Sequence, residues 1–234
     1  MRIVAIETAT AASSVALGDA SGIVAAARRV DRRGHVGFMV PALEFCFEQA
    51  GWLPDEIDAV AVDVGPGLFS GIRAGLATAQ ALAVAAGVPL FPVTSLDAVA
   101  LEARTGHRRI WAVVDVRRGE VAAGPYQPVP GGVLRDGVAE LCTPEAFRAM
   151  LESDPSEGLV VGEWQALPDG TLLGLHAIKT GRPRHPSAAS VHEIARGLAA
   201  RGEAPHPDDV RPLYMREPDV AINWSDYREE GPWR

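Results

Sequence analysis

Residues 63–75, DVGPGLFSGIRAG, hold four glycines and a proline between two apolar segments, IDAVAV before them and LATAQALAVAAG after them. The first segment has the length of a buried strand, and the second has the apolar period of a helix. The loop lacks the Gly-Lys-Ser/Thr ending of a P-loop and the glycine spacing of the dinucleotide fingerprint. Because glycine lets backbones approach closely, Gly65 and Gly67 are expected to lie against an anion at the helix N-terminus or, as we favour, against the protein's own framework.

The segments around this loop predict a first lobe over residues 1–105, with the element order β-β-β-α-β-α-β-α. Apolar runs bounded by turn residues predict its strands at 2–7, 13–18, 22–30, 57–64 and 89–93. Helical periods and end signals predict its helices at 36–50, 70–86 and 95–104, the last with Ser95 as N-cap.

Residues 106–215 begin in the same way and predict a second, smaller lobe. Its expected elements are a hairpin around Arg117-Arg118-Gly119, a strand within 131–141, a helix over 143–152 with Thr143 as N-cap, a strand over 158–162 and a helix over 187–202. The segment 163–186 is rich in loop-forming residues, and its sequence does not place any element in it. The tail, 216–234, is polar and carries Trp224 and Trp233. The chain as a whole therefore predicts a two-lobed α/β protein with flanking helices.

The bulk composition predicts an ordinary soluble protein. The chain has 234 residues, 47% of them hydrophobic and 22% charged, and a net charge of −8, which argues against unaided tight binding to nucleic acid. Cys46 and Cys142 have no pairing or metal spacing, so a reduced, cytoplasmic compartment is expected. The apolar run at the N-terminus is too short for a signal peptide, and no run is long enough to span a membrane.

Two of the predicted helices carry more apolar surface than one core face requires. The helix at 36–50 has an expected core face of Val36, Met39, Val40, Leu43 and Phe47. Its opposite side carries Phe38, Ala42 and Phe45, followed by Gln49 and Trp52. The helix at 70–86 has an expected core face of Ile72, Leu76, Ala79 and Ala83, and a smooth side of Ala74, Ala77, Ala81 and Ala85. Either the chain covers both sides itself or one side docks another subunit; we favour docking, because exposed aromatic rows promote aggregation.

Two hairpin turns are candidates for chemistry. Glu7-Thr8-Ala9-Thr10 ends the first strand with an acid and hydroxyls, as the phosphate-binding hairpins of actin-like kinases do, and Asp115 to Glu120 is its counterpart in the second lobe. Both could equally be structural turns. Arg33 and His35 precede a helix, where a histidine more often forms a hydrogen bond than binds a ligand. No histidine lies at metal-ligand spacing, and no nucleophile has a visible base, so we expect neither a metal nor another cofactor.

Six segments together resemble the TsaB family, the accessory proteins of bacterial tRNA threonylcarbamoyladenosine synthesis. They are MRIVAIETATAASSVAL, RGHVGFMVPALEFCFEQAG, GPGLFSGIRAGLATAQALA, VTSLDAVA, VVDVRRGEVAAGPY and RPLYMR. The resemblance implies the two-lobed actin/sugar-kinase/Hsp70-like (ASKHA) fold. In the catalytic paralogue, TsaD, two histidines of a VHHMEGH segment hold a metal. Ser95 and Val99 stand at those positions here, which implies a chain without that metal site or catalytic residues.

The resemblance implies a non-catalytic scaffold that binds and activates a TsaD-like subunit, with a TsaE-like ATPase joining the complex and tRNA contacted only indirectly. The implied interface comprises Phe38, Ala42, Phe45, Ala74, Ala77 and Ala81. The same helices could instead pair two copies of this chain, and both partners stay open. Further family-motif residues have no assigned role, namely Arg33, His35, Arg73 and Glu120.

A competing hypothesis is an actin-like ATPase or phosphotransferase. Its cleft would hold a nucleotide with the help of Glu7, Thr8, Thr10, Gly65, Gly67 and Asp115. A metalloprotease is a third hypothesis, and the missing histidine pair counts against it.

Overall fold

A computed structural model of the chain describes residues 1–32, 34–104, 106–202 and 204–216. Within these ranges the strands form two mixed sheets. The first sheet contains β1 to β5, which span Ile3–Glu7, Ala12–Asp19, Gly22–Val30, Ala59–Asp63 and Leu90–Val93. The second contains β6 to β11, which span Arg109–Asp115, Val121–Val129, Gly132–Arg135, Glu140–Cys142, Gly158–Gly162 and Ile178–Pro183.

Both sheets are built on the same plan. In the first, with the order β3-β2-β1-β4-β5, β1 pairs antiparallel with β2 and parallel with β4. In the second, with the order β11-β10-β6-β7-β8, β6 pairs antiparallel with β7 and parallel with β10. Each half thus joins an antiparallel hairpin to parallel crossover strands, which confirms the predicted α/β class and the actin-like arrangement.

The helices cover both sheets. They are α1 to α5, which span His35–Ala50, Phe69–Ala86, Ser95–Leu101, Pro144–Ser153 and Ala188–Ala200. Helices α1 and α2 pack on one face of the first sheet, against alternate residues such as Val4 and Ile6 of β1. Helix α5 packs on the opposite face, against Ile3 and Ala5. No helix within the described ranges combines the length and apolar character needed to cross a bilayer.

Two helices cross between the halves of the chain. Helix α3 follows the first sheet in sequence, yet Leu96 and Val99 pack against the second sheet. Helix α5 belongs to the range predicted for the second lobe, yet it covers the first sheet. These crossings connect the two halves, and the division into lobes between residues 105 and 106 stays a prediction.

Three local predictions are wrong. The N-cap of α3 is Thr94, whose hydroxyl accepts a hydrogen bond from the Asp97 amide at 3.1 Å, and α3 ends at Leu101 rather than at residue 104. The strand expected within 131–141 is two strands, β8 and β9, because Gly137 turns the chain between them with φ 147°. The segment 163–186, which the sequence did not place, contains β11, which is parallel to β10. Its mostly exposed polar residues do not show the apolar pattern of a buried strand.

Candidate functional site

The core face of α1 differs from the predicted one. His35, Met39, Ala42 and Cys46 are buried, whereas Val36 is 77% exposed. Val40, also assigned to the core, is 58% exposed. Ala42, which was predicted to lie in the partner interface, is instead buried in the core. Since α1 is apolar on more than one side, its sequence pattern did not define how the helix is rotated on the sheet.

Helices α1 and α2 lie side by side, and each leaves apolar side chains exposed. We call the outward sides of these two helices the helix surface; its exposed apolar members are Val36 and Val40 on one flank of α1, Phe45 on the other flank, and Ala77, Ala81 and Val84 of α2. Phe45 is 47% exposed and Val84 is 61% exposed. Of the other predicted interface residues, Phe38 and Ala74 are half-buried at its edge. The predicted core face of α2, from Ile72 to Ala83, is buried as expected.

His35 and Arg73 have structural partners. The His35 Nε2–H donates a hydrogen bond of 2.7 Å to the Thr10 carbonyl and so ties the start of α1 to the first hairpin. Arg73 donates from Nε to the Tyr214 hydroxyl at 2.9 Å and lies 3.8 Å above the Phe69 ring. Arg33, the other polar motif residue of this region, lies outside the described residues.

The glycine loop packs against the turn between β1 and β2. A Cβ on Gly67 would lie 2.0 Å from the Ala9 carbonyl oxygen, and one on Gly71 would lie 2.1 Å from the Thr8 carbonyl oxygen. The Thr8 hydroxyl donates to the Gly71 carbonyl at 2.7 Å. Gly65 has φ 103°, a conformation that L side chains rarely adopt. The close approach at Gly67 and Gly71 is therefore to the protein's own backbone.

A buried pair of carboxyl groups lies beneath this junction. Glu7 ends β1 and Asp63 ends the adjacent parallel strand β4, and both are fully buried. The Ala9 amide donates to Glu7 at 2.8 Å. The Gly65 amide and the Ser95 hydroxyl donate to Asp63 Oδ1 at 2.8 and 2.7 Å. The pair thus receives hydrogen bonds from the first turn, the glycine loop and α3, the three segments that meet here.

Burial determines how this pair ionises. Burial raises the pKa of Glu7 well above its ordinary value, and the nearby Asp63 raises this pKa further. Burial also raises the pKa of Asp63 to about 7, although hydrogen bonds from Ser95 and Gly65 act in the opposite direction. Asp63 Oδ2 is buried without a hydrogen-bond partner among the described residues. Asp63 is the important residue that our sequence reasoning did not single out; its signal was an acid ending an apolar strand directly before the glycine loop.

The residues of the predicted nucleotide cleft do not share one cavity. Glu7, Thr8 and Thr10 are buried within the first-lobe framework. Asp115 borders a cavity of about 510 Å³ that lies between residues 30–32 and the second sheet. The Asp115 amide donates a hydrogen bond to Glu163 at 3.0 Å. Gly67 lines a different cavity, of about 260 Å³. Glu120, the remaining polar motif residue, forms an ion pair with Arg216 beside this second cavity.

Ser95 and Val99 occupy structural positions in α3. The Ser95 hydroxyl donates its hydrogen bond to Asp63, and Val99 is fully buried in the packing between α3 and the second sheet. Across the described ranges, no three His, Cys, Asp or Glu side chains come together in a way that could hold a metal ion. The residues at this point of α3 are therefore suited to packing.

The two mixed sheets and their flanking helices define an actin-like α/β protein. Comparison with known families agrees with this class. The family model for TsaD, tRNA N6-adenosine threonylcarbamoyltransferase, matches residues 6–154. The chain is also 34% identical to the tRNA threonylcarbamoyladenosine biosynthesis protein TsaB of Escherichia coli, over 92% of this chain and 95% of that protein. This chain belongs to the TsaB family.

Two further relatives agree with that family. The TsaB protein of Haemophilus influenzae is 27% identical over 96% of each chain. The solved structure of YeaZ from Pseudomonas aeruginosa superposes with a TM-score of 0.79 at 25% identity, covering 91% of this chain and all of that one. The two-lobed actin-like fold predicted from the sequence is thereby confirmed.

Proposed function

We propose that this chain acts in tRNA threonylcarbamoyladenosine biosynthesis as a non-catalytic subunit, which binds and activates a TsaD-like catalytic subunit through the helix surface. The observation that carries the proposal is that surface itself: the outward sides of two adjacent helices leave Val36, Val40, Phe45 and Val84 exposed, together with Ala77 and Ala81. The names of the TsaB relatives and the match to the TsaD family model support the pathway.

The helix surface has the composition that helix-on-helix docking needs. Covering a large apolar side chain contributes about 1.5–3 kcal/mol, so Phe45 and the exposed valines of the two helices provide a driving force for association. Ala77 and Ala81 lack bulk, so a partner helix can approach α2 closely. Two helices from each protein would form a four-helix bundle across the interface. A second copy of this chain could occupy the same surface when the catalytic subunit is absent.

The site residues support a scaffold more than an enzyme. Ser95 and Val99 offer no ligand set to a divalent metal, and both are buried in the packing. The competing ATPase hypothesis needs Glu7 and Thr10 beside a nucleotide. Their side chains are fully buried, and the Thr10 carbonyl is already hydrogen-bonded to His35. In our proposal a TsaE-like ATPase joins the complex, tRNA is contacted only indirectly, and the complex works in the cytoplasm.

Reconstitution tests this proposal. The chain is mixed with its TsaD homologue, and the threonylcarbamoyladenosine content of tRNA is measured with each protein alone and with both. We expect no modification by this chain alone, and at least a tenfold higher rate when it is added to the catalytic homologue. Modification by the isolated chain, or a catalytic homologue that is indifferent to its addition, would overturn the proposal.

A further inference from the structure

A small cavity lies where the glycine loop, the turn between β6 and β7, and the chain around Tyr214 meet. Its volume is about 260 Å³, and of α1 and α2 only Phe69, the first residue of α2, lines it. It is separate from the cavity that Asp115 borders. The cavity therefore contains no member of the helix surface, and it shares only Gly67 with the predicted nucleotide cleft.

The lining of this cavity is cationic, although the chain is acidic. Arg117, Arg118 and Arg216 line it, and no Asp or Glu does, in a chain whose net charge is −8. From outside the lining, Asp115 pairs with Arg117 at 3.2 Å and Glu120 pairs with Arg216. The other lining residues are mostly apolar or aromatic, among them Phe69 and Tyr214. An arginine-lined cavity with an aromatic wall favours a ligand that combines a planar ring with an anionic group.

The walls are held in place from outside the cavity. The Phe69 and Tyr214 rings are 4.9 Å apart, and Arg73 joins them by lying over Phe69 while donating to the Tyr214 hydroxyl. On the cationic side, Glu120 pairs with Arg216. Such fixed side chains lose little conformational freedom when a ligand binds.

The turn between β6 and β7 carries backbone strain at this cavity. Arg117 and Arg118 have φ values of 70° and 60°, in the left-handed region that disfavours residues other than glycine. A turn needing this conformation would fold better with glycine at either position. Arginines kept in strained conformations beside a cavity point to a role in binding.

We propose that this cavity binds a free nucleoside monophosphate, with its base against the wall of Phe69 and Tyr214 and its phosphate at Arg117 and Arg118. The volume of about 260 Å³ lies just below the range of small-molecule sites, which limits the ligand to one nucleotide unit. The proposal involves binding without turnover. It concerns residues outside the helix surface, so it stands apart from the proposed partner binding.

Calorimetry on the full chain tests the site, with AMP, adenosine and inorganic phosphate as probes. We expect AMP to bind with a Kd below about 1 mM and to bind at least tenfold more tightly than adenosine or phosphate. Arg118→Gly should weaken AMP binding about 10- to 100-fold, the range for losing a hydrogen bond to a charged group. Its thermal midpoint should stay at or above that of the wild type, because glycine relieves the strain.

Arg32→Gln is the matched control, because Arg32 is also exposed but lines the separate cavity beside Asp115. It should leave the AMP affinity unchanged. No AMP binding at 10-fold the expected Kd, equal binding of phosphate and AMP, or a loss of affinity in Arg32→Gln but not in Arg118→Gly would each overturn the proposal. Tighter binding of the trinucleotide ApApA than of AMP would overturn the assignment to a free mononucleotide.

Discussion

Gly71→Ala is expected to destabilise the protein by about 3 kcal/mol or to prevent folding, which is opposite to what helix propensity predicts. In an exposed helix, replacing glycine by alanine stabilises by about 0.5–1 kcal/mol. At Gly71 the new Cβ would lie 2.1 Å from the Thr8 carbonyl oxygen, a contact with backbone that cannot yield easily. Helix α2 would have to move away, which would also break the hydrogen bond from the Thr8 hydroxyl to the Gly71 carbonyl.

Gly37→Ala is the matched control, because Gly37 and Gly71 are both third residues of their helices. A Cβ at Gly37 meets no atom within 4 Å, so this variant should be as stable as the wild type or slightly more stable. Urea denaturation of both variants gives the comparison. If Gly71→Ala unfolds at the same urea concentration as Gly37→Ala, then the glycines of α2 are not required for its contact with the first turn.

Asp63→Asn is expected to become more stable relative to the wild type as the pH rises from about 4 to about 8. Burial raises the pKa of Asp63 from 3.8 to about 7, so the folded protein holds this proton more tightly than the unfolded chain. Wild-type stability due to this group is therefore complete below pH 4 and is lost as the pH rises through 7. Asparagine does not ionise, so the variant avoids that loss, which amounts to about 2–4 kcal/mol at pH 8.

The measurement is the free energy of unfolding of both proteins at several pH values, and Asp19→Asn provides a control of opposite sign. Hydrogen bonds from Ser21 lower the pKa of the half-buried Asp19 below 3.8. Its contribution is thus present above the unfolded pKa and is lost as the pH falls through the folded one, so Asp19→Asn should lose stability relative to the wild type only as the pH rises to about 4, and the difference should stay constant from pH 4 to pH 8. A constant difference between Asp63→Asn and the wild type from pH 4 to pH 8 would contradict the burial of an ionisable group at Asp63.

The sequence predicted the elements of the first lobe well because their signals are local. Buried strands such as β1 are continuous apolar runs, and Gly51 and Gly87 end α1 and α2 in the left-handed conformation that favours glycine. The rotation of α1 was not predictable in this way. Its apolar residues surround much of the helix, and the buried side is fixed by contacts with β2 and by His35, which are distant in sequence.

The candidate site was only partly predictable for the same reason. An acid at the end of a strand indicates polar chemistry, but the pairing of Glu7 with Asp63 depends on β1 and β4 being neighbours in the sheet. Ser95 carried a helix-cap signal, whereas its hydroxyl is used by Asp63 in the folded chain. The crossings of α3 and α5 also depend on tertiary packing, which no local pattern encodes.

The central claim is that the helix surface binds a TsaD-like subunit. The most direct test measures the affinity of this chain for its TsaD homologue and compares charge substitutions on and off the helix surface. Phe45→Glu and Ala81→Glu place a carboxylate on the helix surface, and Leu173→Glu places one at another exposed apolar position, which is 78% exposed. We predict at least 100-fold weaker binding for Phe45→Glu, the loss typical of a central interface residue, weaker binding for Ala81→Glu, and wild-type affinity for Leu173→Glu. Wild-type affinity in both helix variants, or an equal loss in Leu173→Glu, would contradict the account.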